Sequence, residues 1–170
     1  MKKTAFLIII LLISGCVSES MDQVSDLSLK SPEFEHNSQM PAKYACINYQ
    51  GQDINPALII NGMPVGTKSL VLIMDDPDAP VGTWVHWIVY NIPATTTSIN
   101  EDSVPGTQGV NSWGRSDYGG PCPPSGQHRY VFKLYALDTN LDLTNPDKTV
   151  LENEMQGHII GQTQLIGLFP

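Results

Sequence analysis

Positive charge is what this chain has least of. Nine lysines and arginines stand against 17 aspartates and glutamates in 170 residues, a net charge of −8, and the only arginines are Arg115 and Arg129. A surface of that sign repels phosphate backbones and anionic headgroups at long range, which argues against nucleic acid as a partner. Catalytic spacings are missing too: there is no His-x-x-x-His, no Cys-x-x-Cys and no Gly-x-Ser-x-Gly turn, so neither a helical zinc site nor a serine-hydrolase elbow is written into the chain. Ser125 lies between Pro124 and Gly126 and is a poor nucleophile. Low charge does not mean disorder, because hydrophobic residues make up 41% of the chain, enough for the core of one ordinary domain.

Long apolar runs are absent except at residues 5–13, a stretch too short to span a membrane stably. It follows Met1-Lys2-Lys3 and precedes Ser14-Gly15-Cys16, the order of an export signal. The run Ile13-Ser14-Gly15-Cys16 resembles a lipobox, in which cleavage before the cysteine is coupled to diacylation of Cys16; a plain secretory signal with an incidental cysteine is the alternative. The expectation is a lipoprotein signal peptide at residues 1–15, a Ser- and acid-rich tether at 16–27 and a folded domain at 28–170. The domain would work outside the cytoplasm, in the cell envelope, tethered to a membrane through lipid on Cys16. Loss of residues 1–15 removes two lysines and no acid, leaving 7 basic against 17 acidic residues and a net charge of −10.

With Cys16 taken by lipid, Cys46 and Cys122 remain as an even pair. An oxidising compartment would bridge them, and closing so long a loop is worth about 4 kcal/mol; two buried free thiols are the alternative.

From about Leu27 onward short apolar runs alternate with Gly, Pro and Asn, the pattern of a mainly β domain. Ala57-Leu58-Ile59-Ile60 ends at an Asn61-Gly62 turn, and Leu70-Val71-Leu72-Ile73-Met74 has the apolar continuity of a strand buried on both faces. A strand over residues 85–92 would place His86, Ile88 and Tyr90 on one side, with Trp87 and Val89 on the other. A strand over residues 130–137 would align Tyr130, Phe132 and Leu134, with His128 on the same face if it begins that early. One helix is expected, capped by Asn145, with Pro146 at its first position and Gly157 just past its end. Residues 159–169 read as a closing strand.

Two stiff loops precede the histidine-bearing strands. Asp76-Pro77-Asp78-Ala79-Pro80 leads to Thr83-Trp84-Val85-His86-Trp87, and Gly120-Pro121-Cys122-Pro123-Pro124-Ser125-Gly126-Gln127 leads to His128-Arg129-Tyr130. Prolines fix the directions of the carboxylates, and a carboxylate beside an imidazole sets its tautomer and favours the cation that would meet an anion. His86 and His128 are the candidates for that cation, since Arg129 should point across its strand. Gly119, Gly120 and Gly126 allow backbone to approach a ligand closely. His36 and His158 read as surface and helix-end residues, and Trp87, Tyr90, Phe132 and Tyr135 as core.

These two motifs resemble the signatures of the phosphatidylethanolamine-binding protein family, and more closely its prokaryotic, Raf kinase inhibitor-like branch. Pro41-Ala42-Lys43-Tyr44-Ala45-Cys46, Asn91-Ile92-Pro93, Gly109-Val110-Asn111-Ser112-Trp113-Gly114 and Met155-Gln156-Gly157-His158 add to the match. The resemblance implies a large antiparallel sheet packed on a smaller sheet, with a small anion pocket at one end. Carried onto this chain, its ligand-binding residues are Asp76, Asp78, Trp84, His86, His128 and Tyr130, with Gly120, Cys122 and Pro123 lining the second loop. Pro77 and Pro80 would hold the first loop, with Ala79-Pro80 a candidate cis bond. Relatives usually have Cys-Asp-Gly where this chain has Cys46-Ile47-Asn48, so that segment departs from the pattern. The expected function is binding of a phosphate-like or phosphoethanolamine-like group, without catalysis, cofactor or metal. The alternatives are a hydrolase, using Asp76 or His86 as base and a metal on Asp76, His86 and His128, and an interaction protein that inhibits a peptidase or modulates an envelope partner.

Overall fold

A computed structural model describes residues 26–170; the expected signal segment, Cys16 and most of the tether lie outside the described residues. Its strands form two sheets. The smaller contains β1 (Ser28–Lys30), β3 (Leu58–Asn61) and β6 (Ser98–Ile99), in the order β1-β3-β6. The larger contains β2 (Ser38–Gln39), β4 (Ser69–Asp76), β5 (Trp84–Pro93), β7 (Thr107–Gln108), β8 (His128–Leu137) and β9 (Ile159–Phe169), in the order β2-β9-β8-β4-β5-β7. All its pairings are antiparallel except β2 with β9.

The middle of the larger sheet is β4, and every one of its residues is buried, as an unbroken apolar run requires. Leu70, Leu72 and Met74 face one cluster with Trp87, Val89, Tyr130, Phe132 and Leu134, against Leu29, Leu58 and Ile60 of the smaller sheet. Val71 and Ile73 face the other way, with Ile88, Tyr90, Leu151 and Met155. The larger sheet is thus the middle layer, with the smaller sheet on one face and the helix on the other.

The helix is α1 (Lys148–Met155), and it starts later than the Asn145-Pro146 signal suggests. Asp147 is the cap, its Oδ1 accepting from the Val150 N–H at 2.9 Å. Asn145 instead takes a positive φ of 47°, and the Pro146 carbonyl is spent outside the helix on the Val110 N–H. Gly157 follows the helix at φ 80°, as expected.

Strict alternation fails along β5, where two bulges insert residues. Met74 pairs with Trp87 but Asp75 with Val85, leaving His86 as the extra residue; Leu72 pairs with Val89 but Leu70 with Ile92. Asn91, inside the second bulge, has a φ of 51°. His86 therefore does not share a face with Ile88 and Tyr90, and its ring turns to Tyr130 on the opposite side of the sheet.

No peptide bond among the described residues is cis, so Ala79-Pro80 is trans. The first loop closes by other means: the Asp78 N–H donates to Asp76 Oδ1 at 2.9 Å and the Gly82 N–H to the Ala79 carbonyl at 3.1 Å.

Cys46 and Cys122 are bridged, with Cα atoms 5.5 Å apart and a separation of 76 positions in sequence. The bridge ties the turns Ala42–Tyr44 and Ile47–Tyr49 to the second Pro-rich loop. The same two segments also share the Cys46 N–H bond to the Pro121 carbonyl and the Tyr49 hydroxyl bond to the Pro123 carbonyl. Reducing the bridge should lower the unfolding free energy by about 4 kcal/mol, measured by guanidinium unfolding with and without reductant. An unchanged midpoint, with two free thiols in the mass of the unreduced protein, would show the pair unbridged.

Candidate functional site

Antiparallel pairing of β4 with both neighbours sets its C-terminal end beside the N-terminal ends of β5 and β8. Asp76 therefore meets Trp84 and His86 on one side and His128 and Tyr130 on the other. The two loops join because strand register leaves them no other place.

His128 Nδ1 and Asp76 Oδ2 are 2.7 Å apart, with both side chains under a tenth exposed. The carboxylate accepts, so this nitrogen carries the hydrogen and the tautomer is set, as expected. Asp78 behaves differently. It takes Arg129 in a fork, Nε at 2.8 Å and Nη2 at 2.6 Å, and also accepts the Arg129 backbone N–H. The guanidinium beside it holds the Asp78 carboxyl down at about 2. Asp78 is thus committed to bracing the first loop against β8.

His86 is almost fully buried, and its Nδ1 donates to the Gly119 carbonyl at 2.7 Å. Burial pushes its pKa down, against smaller opposing effects of that carbonyl and of Asp76. The shift runs against the cation expected from sequence. The ring stands edge-on to Trp113 at 5.0 Å and to Tyr130 at 5.2 Å, and Trp113 is in turn edge-on to Trp84. A side chain at Gly119 would strike the Trp113 ring, and one at Gly120 the backbone of Tyr44 to Cys46.

A cavity of about 240 Å³ opens here, with Asp76, Pro80, Trp84, His86, Trp113 and Cys122 among its walls. His128 and Tyr130 stand behind Asp76 and His86 and outside that wall. A second cavity of about 390 Å³ adjoins across Trp113 and Cys122, lined also by Asn48, Asp53, Arg115, Gly119 and Gly120. Pro123 lines neither and uses its carbonyl on Tyr49. The Trp84 indole N–H and the Tyr130 hydroxyl are buried without a hydrogen-bond partner among the described residues. Among the described residues no group of three or more His, Cys, Asp or Glu is placed to hold a metal.

Trp113 and Asp53 were not expected as site residues, while Gly119, expected to allow close backbone approach, supplies the carbonyl that holds His86. Asn111 builds the Trp113 loop, accepting from the Trp113 and Arg115 N–H groups and donating to Asp117. Asp53 Oδ1 accepts the Gly120 N–H at 2.6 Å, a contact across 67 positions that no local pattern announces. For Trp113 sequence offered its place in the turn-rich Gly109-Val110-Asn111-Ser112-Trp113-Gly114 segment that adds to the family resemblance.

Fold and site together define a two-sheet β protein with an acid–imidazole cavity at one end of its central strands. Residues 30–170 match the phosphatidylethanolamine-binding protein family, and the chain belongs to that family. It is 44% identical over 152 residues to a UPF0098 protein of Methanothermobacter thermautotrophicus, covering 84% of this chain and 98% of that one. A UPF0098 protein of Aquifex aeolicus is 45% identical over 149 residues, covering 82% of this chain and 85% of that one. Among solved structures, one described as a phosphatidylethanolamine-binding protein homolog from Chlamydia trachomatis superposes with a TM-score of 0.82 at 38% identity, covering 86% of this chain and 98% of that one. E. coli YbcL superposes with a TM-score of 0.77 at 30% identity, covering 84% and 97%.

The Asp78–Arg129 fork has a pH signature. A carboxyl held at about 2 in the native state but titrating near its ordinary value when unfolded stabilises the protein above that ordinary value, and the stabilisation is lost as pH falls through the native value. Arg129→Gln should return the Asp78 carboxyl to the ordinary range in an NMR titration and flatten the loss of stability between about pH 4 and pH 2. A carboxyl that stays low in the variant would assign the shift to another cause.

Proposed function

We propose that this chain is a binding protein whose cavity takes a small phosphate-like or other oxyanionic group, without turning it over. One observation carries the reading: Asp76, paired with His128, and the buried His86 line one cavity of about 240 Å³, with Trp84 also in its wall. Asp76 and His128 form the back of the site, Trp84 and His86 reach the ligand, Tyr130 and Trp113 hold His86 in place, and Gly120, Cys122 and Pro123 shape the second loop. The family's name points to phosphate-bearing headgroups, and the geometry supports that class of ligand.

The first residues support a place of work outside the cytoplasm. Lipid on Cys16, after removal of residues 1–15, would hold the domain outside the cytoplasm on a short tether. A second reading, capture of an envelope protein by the same mouth, rests on exposed Ile47, Val81 and Trp113 around the two cavities.

Inorganic phosphate should raise the melting temperature of the wild type, by the equivalent of about 2.7 kcal/mol at a hundred times its Kd, and leave the His86→Ala, His128→Ala double variant unmoved. An anion in the site raises the His86 pKa, which burial lowers in the free protein, so affinity is full below the free-protein value and falls as pH rises through the bound one. Equal stabilisation of wild type and variant would place the phosphate elsewhere. The location is tested separately: Cys16→Ser should abolish incorporation of labelled fatty acid and release the protein from the membrane fraction, and continued incorporation would reject Cys16 as the anchor.

A further inference from the structure

The larger sheet closes one edge and leaves most of the other open. Beyond β5 the edge is covered: the Ser112, Gly119 and Gly109 N–H groups donate to the Val85, His86 and Ile88 carbonyls, and β7 pairs with Val89 and Tyr90. Beyond β9 only the last residues are covered. The Ile166 N–H donates to His36 Nδ1 at 3.3 Å, the Ile166 carbonyl accepts the Asn37 N–H at 2.8 Å, and β2 pairs with Gly167 and Leu168. Along a strand, alternate residues turn their N–H and C=O to opposite edges. Ile166 turns outward, so Gln164 and Gln162 do too, and no strand among the described residues lies against them on that side.

That edge lacks the usual protection. Unpaired N–H and C=O groups are a template for another strand, and exposed edges are normally blunted by charge or proline. From Met155 to Phe169 there is no Asp, Glu, Lys, Arg or Pro. Gln162 and Gln164 are exposed, and Ile159 and Ile160 are 42% and 36% exposed. A hollow of about 390 Å³ lies over the two glutamines, walled also by Lys133, Tyr135 and Thr163, and Lys133 is already spent on Asp75 at 2.7 Å. Two copies of a chain with a net charge of −8 repel one another over most of their surface, but not through this uncharged strip. An antiparallel edge is also its own complement: a two-fold rotation sets each outward N–H opposite a carbonyl of the second copy.

We propose that β9 pairs edge to edge with β9 of a second copy of this chain, antiparallel about a two-fold axis at Gln162, joining the two larger sheets into one. The neighbours of the strip fix that centre. An axis nearer Ile166 would drive the second copy into His36 and Asn37, and one nearer Ile159 would set Gln164 opposite residues beyond the end of the strand. Gln162 then stands directly opposite its copy, with the two side-chain amides within reach of each other. The strip is short, so the pair belongs to the small, concentration-dependent class of interfaces. It stands independently of what the cavity at the other end of the strands binds.

The register makes the test specific. Directly opposite, hydrogen-bonded residues have Cα atoms about 5.5 Å apart, within the span of a disulfide. Gln162→Cys in the full chain, once oxidised, should therefore run at twice the chain mass on a non-reducing gel. Val104→Cys, exposed in the loop before β7 at the opposite edge of the sheet, should not. In sedimentation the wild-type mass should rise towards twice that of the monomer with concentration. Gln162→Lys and Gln162→Glu, each setting like charges opposite one another, should stay monomeric alone and associate when mixed in equal amounts. Should a charged variant not fold, the two cysteine variants decide alone. A wild type that stays monomeric, equal cross-linking through Val104→Cys, or a dimer that Gln162→Lys leaves intact overturns the proposal.

Discussion

Everything at the functional end depends on β4 being paired on both edges. Eight consecutive residues from Ser69 to Asp76 are buried, flanked by β5 and β8 in antiparallel register. The strand cannot slide by one residue without turning Leu70, Leu72 and Met74 away from the cluster that holds the two sheets together. That fixed register carries Asp76 to a definite height, and the starts of both neighbouring strands arrive at the same height. The acid, the two histidines and their aromatic neighbours are therefore assembled by the packing of residues remote from them.

Each element of the site then has one task. Asp78 and Arg129 form the strong, exposed fork and brace the loop, which frees Asp76 for His128. The bulge at His86 turns that ring off the face that simple alternation would give it and into contact with Tyr130, Trp113 and the Gly119 carbonyl. Bulges beside sites commonly re-aim a side chain in this way. The second loop is fixed from outside by the Cys46–Cys122 bridge and the Asp53–Gly120 contact, so its prolines shape a wall that does not depend on their own flexibility.

The strands were legible because burial writes itself into composition. The apolar run at residues 70–74 became the central strand, residues 159–169 became β9 with those same ends, and His128 opened β8 on the face shared by Tyr130 and Phe132. What failed was local geometry with rival solutions a residue or two apart. Asn145 and Asp147 can both cap a helix, and the competition was settled by the Val110 bond to the Pro146 carbonyl, a contact across the fold. The His86 bulge was invisible because one inserted residue leaves no mark on the pattern of residue types.

For function the division is similar. Sequence alone determined the residue types at the site, the two Pro-rich loops that hold them and the acidic character of the chain, since these are properties of composition and short-range order. Tertiary structure alone decided which residues wall the cavity. It sent Asp78 to Arg129 and set His128 behind Asp76. It also brought in Trp113 and Asp53 from distant segments and buried His86, which pushes its pKa down, against the cation expected from sequence. The reason is physical: a side chain's partners, and the charge it keeps once buried, depend on groups that only folding brings within a few ångströms.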